Sequence, residues 1–233
     1  MYLRALGVLL GLAAAAASAN EYYVGFEGDS MPEEVPGYVR YFWGGGATRW
    51  LESDPNGNSY FVLDSRASGW ISDTAYYAGQ INPTQPGEVY WAEWRLAVLD
   101  NLSYADTGVG IAADNYYNLL FDYVYDRITS EWEYEGGQYW SHPIDPGVFH
   151  TYRFESSDMV NYRLWIDGDL VRNGHWNTSL NHSFVTFGDE WYGNAPGGSL
   201  ASWDYFRFGV AVPELESVSL LLLACVCVAT HRG

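Results

Sequence analysis

The sequence predicts an all-β chain, a two-sheet antiparallel jelly-roll sandwich, on three observations. Apolar residues make up 48% of the chain and aromatics 18%, ample for a core, which excludes a disordered chain. The aromatic and β-branched residues fall in short alternating runs. Gly, Pro, Asn and Asp separate those runs, and no convincing amphipathic helix interrupts them.

Residues 1–19 read as a secretory signal. Arg4 gives a positive start, 6–17 is an apolar run, and Ala17-Ser18-Ala19 is a small-residue cleavage site. A buried helix would be amphipathic there, and this run is not. Residues 20–211 are the expected sandwich. Strands are predicted over 22–27, 60–64 and 69–73, the last with Trp70 and Ile71. The run 88–99, "EVYWAEWRLAVL", is long and clear. In 116–126, Tyr117, Leu119, Phe121, Tyr123 and Tyr125 share one face, the mark of a half-buried antiparallel strand. Over 149–157, His150, Tyr152 and Phe154 alternate with Thr151, Arg153 and Glu155. Over 160–171, Tyr162, Leu164 and Ile166 alternate with Asn161, Arg163 and Trp165, and the chain turns at Asp167-Gly168, a tight hairpin signal. Strands at 184–187 and 201–210 close the domain. About a dozen such strands stack as two sheets, and a sandwich suits the length better than a small barrel.

Composition narrows the function. The net charge is −18, with 29 acids, 11 arginines and no lysine. Nine of those arginines and all the acids lie between Asn20 and Glu216. Such a field repels nucleic acid and anionic membrane surfaces and suits a soluble surface protein. Both cysteines, Cys225 and Cys227, are in the tail, and a core of this size needs no disulfide. The five histidines lack zinc spacing, and no nucleophile elbow, phosphate loop or dinucleotide fingerprint is present. Asn101, Asn177 and Asn181 head N-x-S/T sequons.

Eleven tryptophans are many for this length, and sugars bind by stacking on aromatic rings beside polar groups that fix their hydroxyls. Trp91 shares a strand face with Glu93 and Arg95, and Trp165 with Asn161 and Arg163. Both faces are mixed and suit an open groove. Trp94, with Leu96 and Val98, reads as core. Trp132, Trp140 and Trp191 stand near Gly-rich loops and are candidates for a cleft rim. Most of the eleven tryptophans are expected in packing, with only two or three touching a ligand.

Three stretches, "VGFEGD" (24–29), "FHTYRFESSDMVNYRLWIDGDLV" (149–171) and "SWDYFRFG" (202–209), together resemble the concanavalin A-like lectin/glucanase superfamily, which includes laminin G-like domains and laminarinase-type glycosidases. The resemblance implies a twisted sandwich whose opening and closing strands pair, with one concave face that often binds glycans. It also implies a structural Ca²⁺ near those strands, with Asp204, Glu27 and the carbonyl of Gly28 as ligands, since calcium takes hard oxygens. The alternative is that Asp204 caps its strand or pairs with an arginine. The glycosidase branch carries E-x-D-x-x-E. The only E-x-D here is Glu27-Gly28-Asp29, and the position five after Glu27 is Pro32, so the family mechanism is not expected. The nearest substitute is Glu131, Glu133 and Glu135, which alternate at steps of about 6.8 Å. Glycosidase carboxyl pairs stand about 5–5.5 or 6.5–9.5 Å apart. A solvated acidic strand beside a Gly-Gly turn is the alternative.

The final stretch, "VPELESVSLLLLACVCVATHRG" (212–233), resembles the PEP-CTERM sorting signal. Val212-Pro213-Glu214 matches its motif, Leu215 replaces the second proline, and the basic end is reduced to His231 and Arg232. The apolar stretch 217–230 is shorter than the roughly 20 residues of a membrane span. The resemblance implies processing by an exosortase in a bacterium and release or attachment at the cell surface. The expected function is a secreted or surface-attached, non-catalytic glycan-binding sandwich associated with extracellular polysaccharide. The alternatives are a glycoside hydrolase or polysaccharide lyase with an unfamiliar carboxylate set, and a purely structural surface protein.

Overall fold

The computed structural model describes residues 20–43, 47–66, 72–78, 87–101, 107–113, 119–124, 126–131, 140–175, 184–189 and 198–212. Among them run fifteen strands: β1 (Asn20–Phe26), β2 (Tyr38–Trp43), β3 (Thr48–Ser53), β4 (Ser59–Asp64), β5 (Ser72–Ala78), β6 (Val89–Asn101), β7 (Thr107–Ala113), β8 (Leu119–Val124), β9 (Arg127–Glu131), β10 (Trp140–Pro143), β11 (His150–Ser156), β12 (Asn161–Ile166), β13 (Asp169–His175), β14 (Phe184–Asp189) and β15 (Ser199–Val212). A 3₁₀ turn, Pro32–Glu34, follows β1.

All the strand pairs are antiparallel and build two sheets. One has eight strands in the order β13-β12-β11-β6-β15-β4-β3, with β1 beside β15. The other has seven, β10-β9-β8-β7-β14-β5-β2. The opening and closing strands pair as expected, from Asn20 opposite Val212 to Phe26 opposite Phe206. The Asp167-Gly168 turn joins β12 to β13; Asp167 sits at φ 51° and Gly168 at φ 88°. This is the left-handed region that Gly and Asp tolerate best. Hydrogen bonds from the Thr151 N–H at 2.8 Å and from His150 Nδ1 at 2.6 Å hold the Asp167 carboxylate. Partial burial opposes ionisation of Asp167, yet those bonds outweigh it and hold its carboxyl below the usual carboxylate range.

The core lies between the sheets and is mostly aromatic. β6 turns Tyr90, Ala92, Trp94, Leu96 and Val98 inward, and β11 and β12 add Tyr152, Phe154, Tyr162 and Leu164, all buried. From the seven-stranded sheet come Phe121, Tyr123, Ile128 and Phe187. Rings meet across the gap: Phe187 lies 4.9 Å from both Trp203 and Phe206, and Trp94 lies 5.9 Å from Phe121. Trp94 Nε1 donates to Tyr123 Oη at 3.1 Å, a polar tie between the sheets. Aromatic pairs at these separations add about 0.5–1.5 kcal/mol beyond their burial.

Several elements depart from the sequence reading. Within the run read as one strand over 116–126, Leu119–Val124 form β8, Asp126 lies in a turn and β9 begins at Arg127, while 116–118 and 125 lie outside the described residues. The strand expected at 69–73 falls partly outside the described residues, and β5 starts at Ser72. Strands β2, β3, β7, β9 and β10 were not anticipated. β3 is an edge strand with Trp50 and Leu51 exposed, so it lacks buried alternation. β7, "TGVGIAA", is weakened as a strand signal by its glycines. β10 holds Pro143, which an edge strand accommodates.

A bulge in β15 decides the layout of the site. Ala201 and Trp203 face inward opposite Val98 and Leu96. After the bulge, Phe206 and Phe208 face inward opposite Trp94 and Ala92. Asp204 is the extra residue, and Tyr205 pairs with Arg95 on the outer face.

Candidate functional site

On the outer face of the eight-stranded sheet, side chains stand in cross-strand rows. One row runs Arg163, Glu155, Trp91, Gly209. The next runs Trp165, Arg153, Glu93, Arg207, Gly25. A third runs Thr151, Arg95, Tyr205. Five of the residues chosen from sequence, Trp91, Glu93 and Arg95 on β6 and Arg163 and Trp165 on β12, thereby share this face, with β11 between the two strands.

Four arginines organise this face, each touching an aromatic ring and a carboxylate. Arg153 lies over Trp91 at 4.3 Å from the ring centroid; it donates to Glu155 Oε1 at 3.3 Å and approaches Glu93 Oε2 at 3.5 Å. Arg163 lies 5.0 Å over Trp165 and donates to Glu155 Oε2 at 3.0 Å. Arg207 lies 4.2 Å over Tyr205 and donates from Nε to Glu27 Oε1 at 2.9 Å. Arg95 lies 4.8 Å over Phe149 and pairs with the Asp204 carboxylate. Half-burial raises the Tyr205 phenol above its ordinary pKa, and the neighbouring Glu93 charge adds to the rise. The Arg207 guanidinium is also raised, chiefly by its hydrogen bonds to Glu27. Exposed ion pairs are worth about 0–1 kcal/mol each and cation–π contacts about 0.5–2 kcal/mol. The lattice therefore contributes modestly to stability. Its main effect is to hold long, otherwise mobile side chains in place.

Trp91 is on the predicted face, but only 3% of it is exposed, because Arg153 covers its ring. It supports the lattice from below rather than lining an open groove. Trp165 remains half-buried. The face continues into a groove of about 450 Å³ at its β11–β12–β13 end, lined by Glu155, Ser157, Asn161, Arg163, Asn173 and His175 among others. Asn161 is opposite His175 and Arg163 opposite Asn173, and His175 Nδ1 lies 3.2 Å from Asn161 Oδ1. The sequence reading did not single out Arg153, Glu155, Tyr205, Arg207, Asn173 or His175 as site residues. For the β11 pair the signal was available, since Arg153 and Glu155 alternate against buried Tyr152 and Phe154.

Trp140 lies apart from these residues. It stands on β10 of the other sheet, packed against the core, with its ring 6.0 Å from that of His142. Trp132, Trp191, Glu133 and Glu135 lie outside the described residues. Glu131 ends β9 opposite Leu120.

Of the three expected metal ligands, Gly28 and Asp204 approach each other through their backbones. Gly28 packs so close to β15 that a Cβ there would lie 2.3 Å from the Asp204 carbonyl oxygen and 3.1 Å from that of Ser59. However, Arg207 holds the Glu27 carboxylate and Arg95 holds that of Asp204. Among the described residues no three acidic, His or Cys side chains converge as a cation cage. This arrangement does not fit a calcium ion, because guanidinium groups already supply the positive charge. EDTA is expected to leave the melting temperature unchanged in differential scanning calorimetry; a drop restored by Ca²⁺ would refute that arrangement.

No protein-family model matches the sequence, and no curated protein matches it. Solved structures do. The conserved carbohydrate esterase of Shiga toxin-encoding bacteriophage phi24B matches with a TM-score of 0.57 and 12% identity, over 84% of this chain and 100% of that one. Alginate lyase AlyC3 in complex with dimannuronate matches with a TM-score of 0.51 and 8% identity, over 66% and 76%. An endo-1,3-β-glucanase from Streptomyces sioyaensis matches at 0.46 and 15%, over 79% and 100%. By their names all three are carbohydrate-active proteins. At such identities the first two bear on the fold alone, a two-sheet antiparallel jelly-roll sandwich.

Proposed function

We propose that this protein is an exported, non-catalytic glycan-binding sandwich that meets polysaccharide on the outer face of its eight-stranded sheet. The observation that carries the reading is the lattice itself: four arginines fixed on aromatic rings and carboxylates, opening into a polar groove. Fixed donors and acceptors beside an aromatic platform match a sugar's hydroxyls and C–H faces with little ordering cost on binding. The carbohydrate-active neighbours support the same reading. The described acids of this face, Glu27, Glu93, Glu155 and Asp204, are engaged by guanidinium N–H groups. They are poorly placed to protonate a leaving oxygen, which is why a binding role is favoured over hydrolysis or lysis. The signal-like segment 1–19 and the PEP-CTERM-like segment 212–233 support export, exosortase processing and a place in a bacterial extracellular matrix.

A polysaccharide array combined with a reducing-end assay tests this. The expected result is saturable binding without chain cleavage, weakened about tenfold in Trp165→Ala through the lost ring. Cleavage abolished by Glu133→Gln would replace the proposal with a catalytic one. Binding to no polysaccharide would leave a structural surface protein.

A further inference from the structure

We propose that the groove over β11, β12 and β13 takes an acidic sugar, with the sugar's oxyanion held by Arg163. This rests on the glycan-binding reading above and names the ligand class. The chain has nine arginines between Asn20 and Glu216 against 29 acids. Five of the nine, Arg95, Arg153, Arg163, Arg172 and Arg207, lie on this sheet face or line its groove. In so acidic a protein, that gathering marks where an anion is tolerated.

Arg163 differs from the other lattice arginines. Its side chain is 54% exposed, against 39% for Arg95, 34% for Arg207 and 26% for Arg153. Its partner Glu155 is shared, since the same carboxylate also accepts from Arg153. A guanidinium carries five N–H donors in a planar fork. The contact to Glu155 uses one part of the Arg163 fork, the side chain lines the groove, and the Trp165 ring lies 5.0 Å from its guanidinium carbon. Carboxylate and sulfate oxygens fit such a fork in a bidentate way. Arg172 lines the same groove, and Asn173 and His175 stand beside it with polar groups suited to ring hydroxyls.

Among the described residues, Glu155 lines the groove and Asp158 stands beside it, bonded to the groove residue Asn161. Glu155 sits between two guanidinium groups. Asp158, in the turn before β12, has its oxygens engaged by the Val160 and Asn161 N–H groups, by Asn161 Nδ2 and by Ser156 Oγ. The remaining negative field is distributed over the molecule and is screened within about 8 Å at physiological salt. Contact with Arg163 then decides the local preference. The groove volume of about 450 Å³ falls in the range of roughly 300–1,000 Å³ typical of ligand sites.

Affinity electrophoresis of the full mature chain in gels carrying a polyuronate, a sulfated glucan or a neutral β-glucan tests the proposal. The expected result is retardation by the polyuronate or the sulfated glucan above the neutral one, weakened by added salt. The choice between the two names carboxylate or sulfate as the oxyanion. Arg163→Ala is expected to lose about tenfold or more in affinity, while Arg127→Ala, on the opposite sheet, keeps it. Acidic-polymer binding unchanged in Arg163→Ala overturns the site. Binding to the neutral glucan alone overturns the ligand class and leaves the glycan-binding reading standing. Binding to none of the three, with none on the wider array, removes both.

Discussion

Gly28→Ala is expected to destabilise the fold severely. Two costs coincide at this position. Its φ of +75° lies in the left-handed region, where an L side chain costs roughly 1–2 kcal/mol. In addition, the new Cβ would sit 2.3 Å from the Asp204 carbonyl oxygen. That atom is backbone, so it cannot swing aside as a side-chain tip would. Relief requires moving β15, which pairs with β6, β1 and β4 and forms the centre of its sheet. Overpacking of this kind costs about 1–3 kcal/mol. The sum, about 2–5 kcal/mol, is a large part of the 5–15 kcal/mol typical of a domain. Urea denaturation followed by tryptophan fluorescence checks it, with a large fall in midpoint or no folded baseline expected. Gly57→Ala is the control. It also has positive φ, at 89°, but its Cβ would meet nothing within 4 Å, so only the conformational cost applies.

The same glycine shows where the sequence could and could not be read. The pairing of the first and last strands was legible through the resemblance carried by "VGFEGD" and "SWDYFRFG", which implies it. The hairpin at Asp167-Gly168 was legible because its turn chemistry is local. The mixed faces of β6 and β12 correctly gathered Trp91, Glu93, Arg95, Arg163 and Trp165. What local pattern does not specify is which strands become neighbours. The insertion of β11 between β12 and β6 places Arg153 over Trp91 and shares Glu155 between two arginines. That is why Trp91, although on the expected face, is covered rather than open. The β15 bulge left a trace in the sequence: the inward residues Ala201 and Trp203 are followed by Phe206 and Phe208, a slip of one in the period of two. The closeness of Gly28 to Asp204 follows from that slip combined with long-range pairing, and neither is visible from Gly28 alone. Edge strand β3 escaped because it is exposed almost throughout, and β10 because it is only four residues long and ends in a proline.

Trp94→Ala is the core substitution with the largest expected cost. Its side chain is fully buried at the centre of β6 and stacks on Tyr152 at 5.5 Å and 10°. The ring also reaches Phe121 and Phe206 at 5.9 and 6.4 Å. Truncation leaves a cavity between aromatic rings held by two strand networks, which cannot easily collapse. Phe or Trp to Ala changes in such sites cost about 3–5 kcal/mol. A second loss is polar, since the indole N–H donates to Tyr123 Oη on the facing sheet. Trp94→Phe separates the two effects. It keeps a ring against Tyr152 and removes the donor, and is expected to cost less than the alanine variant, by roughly the difference between a partly filled and an empty site. Chemical denaturation of both variants measures this. Nearly equal midpoints would place the tie to Tyr123, rather than ring packing, as the main link between the sheets. A clearly milder phenylalanine variant would place packing first. Because β6 also carries Glu93 and Arg95 on its outer face, the alanine variant is further expected to weaken glycan binding in proportion to unfolding. The phenylalanine variant is expected to bind as the wild type does, since Trp94 points away from that face.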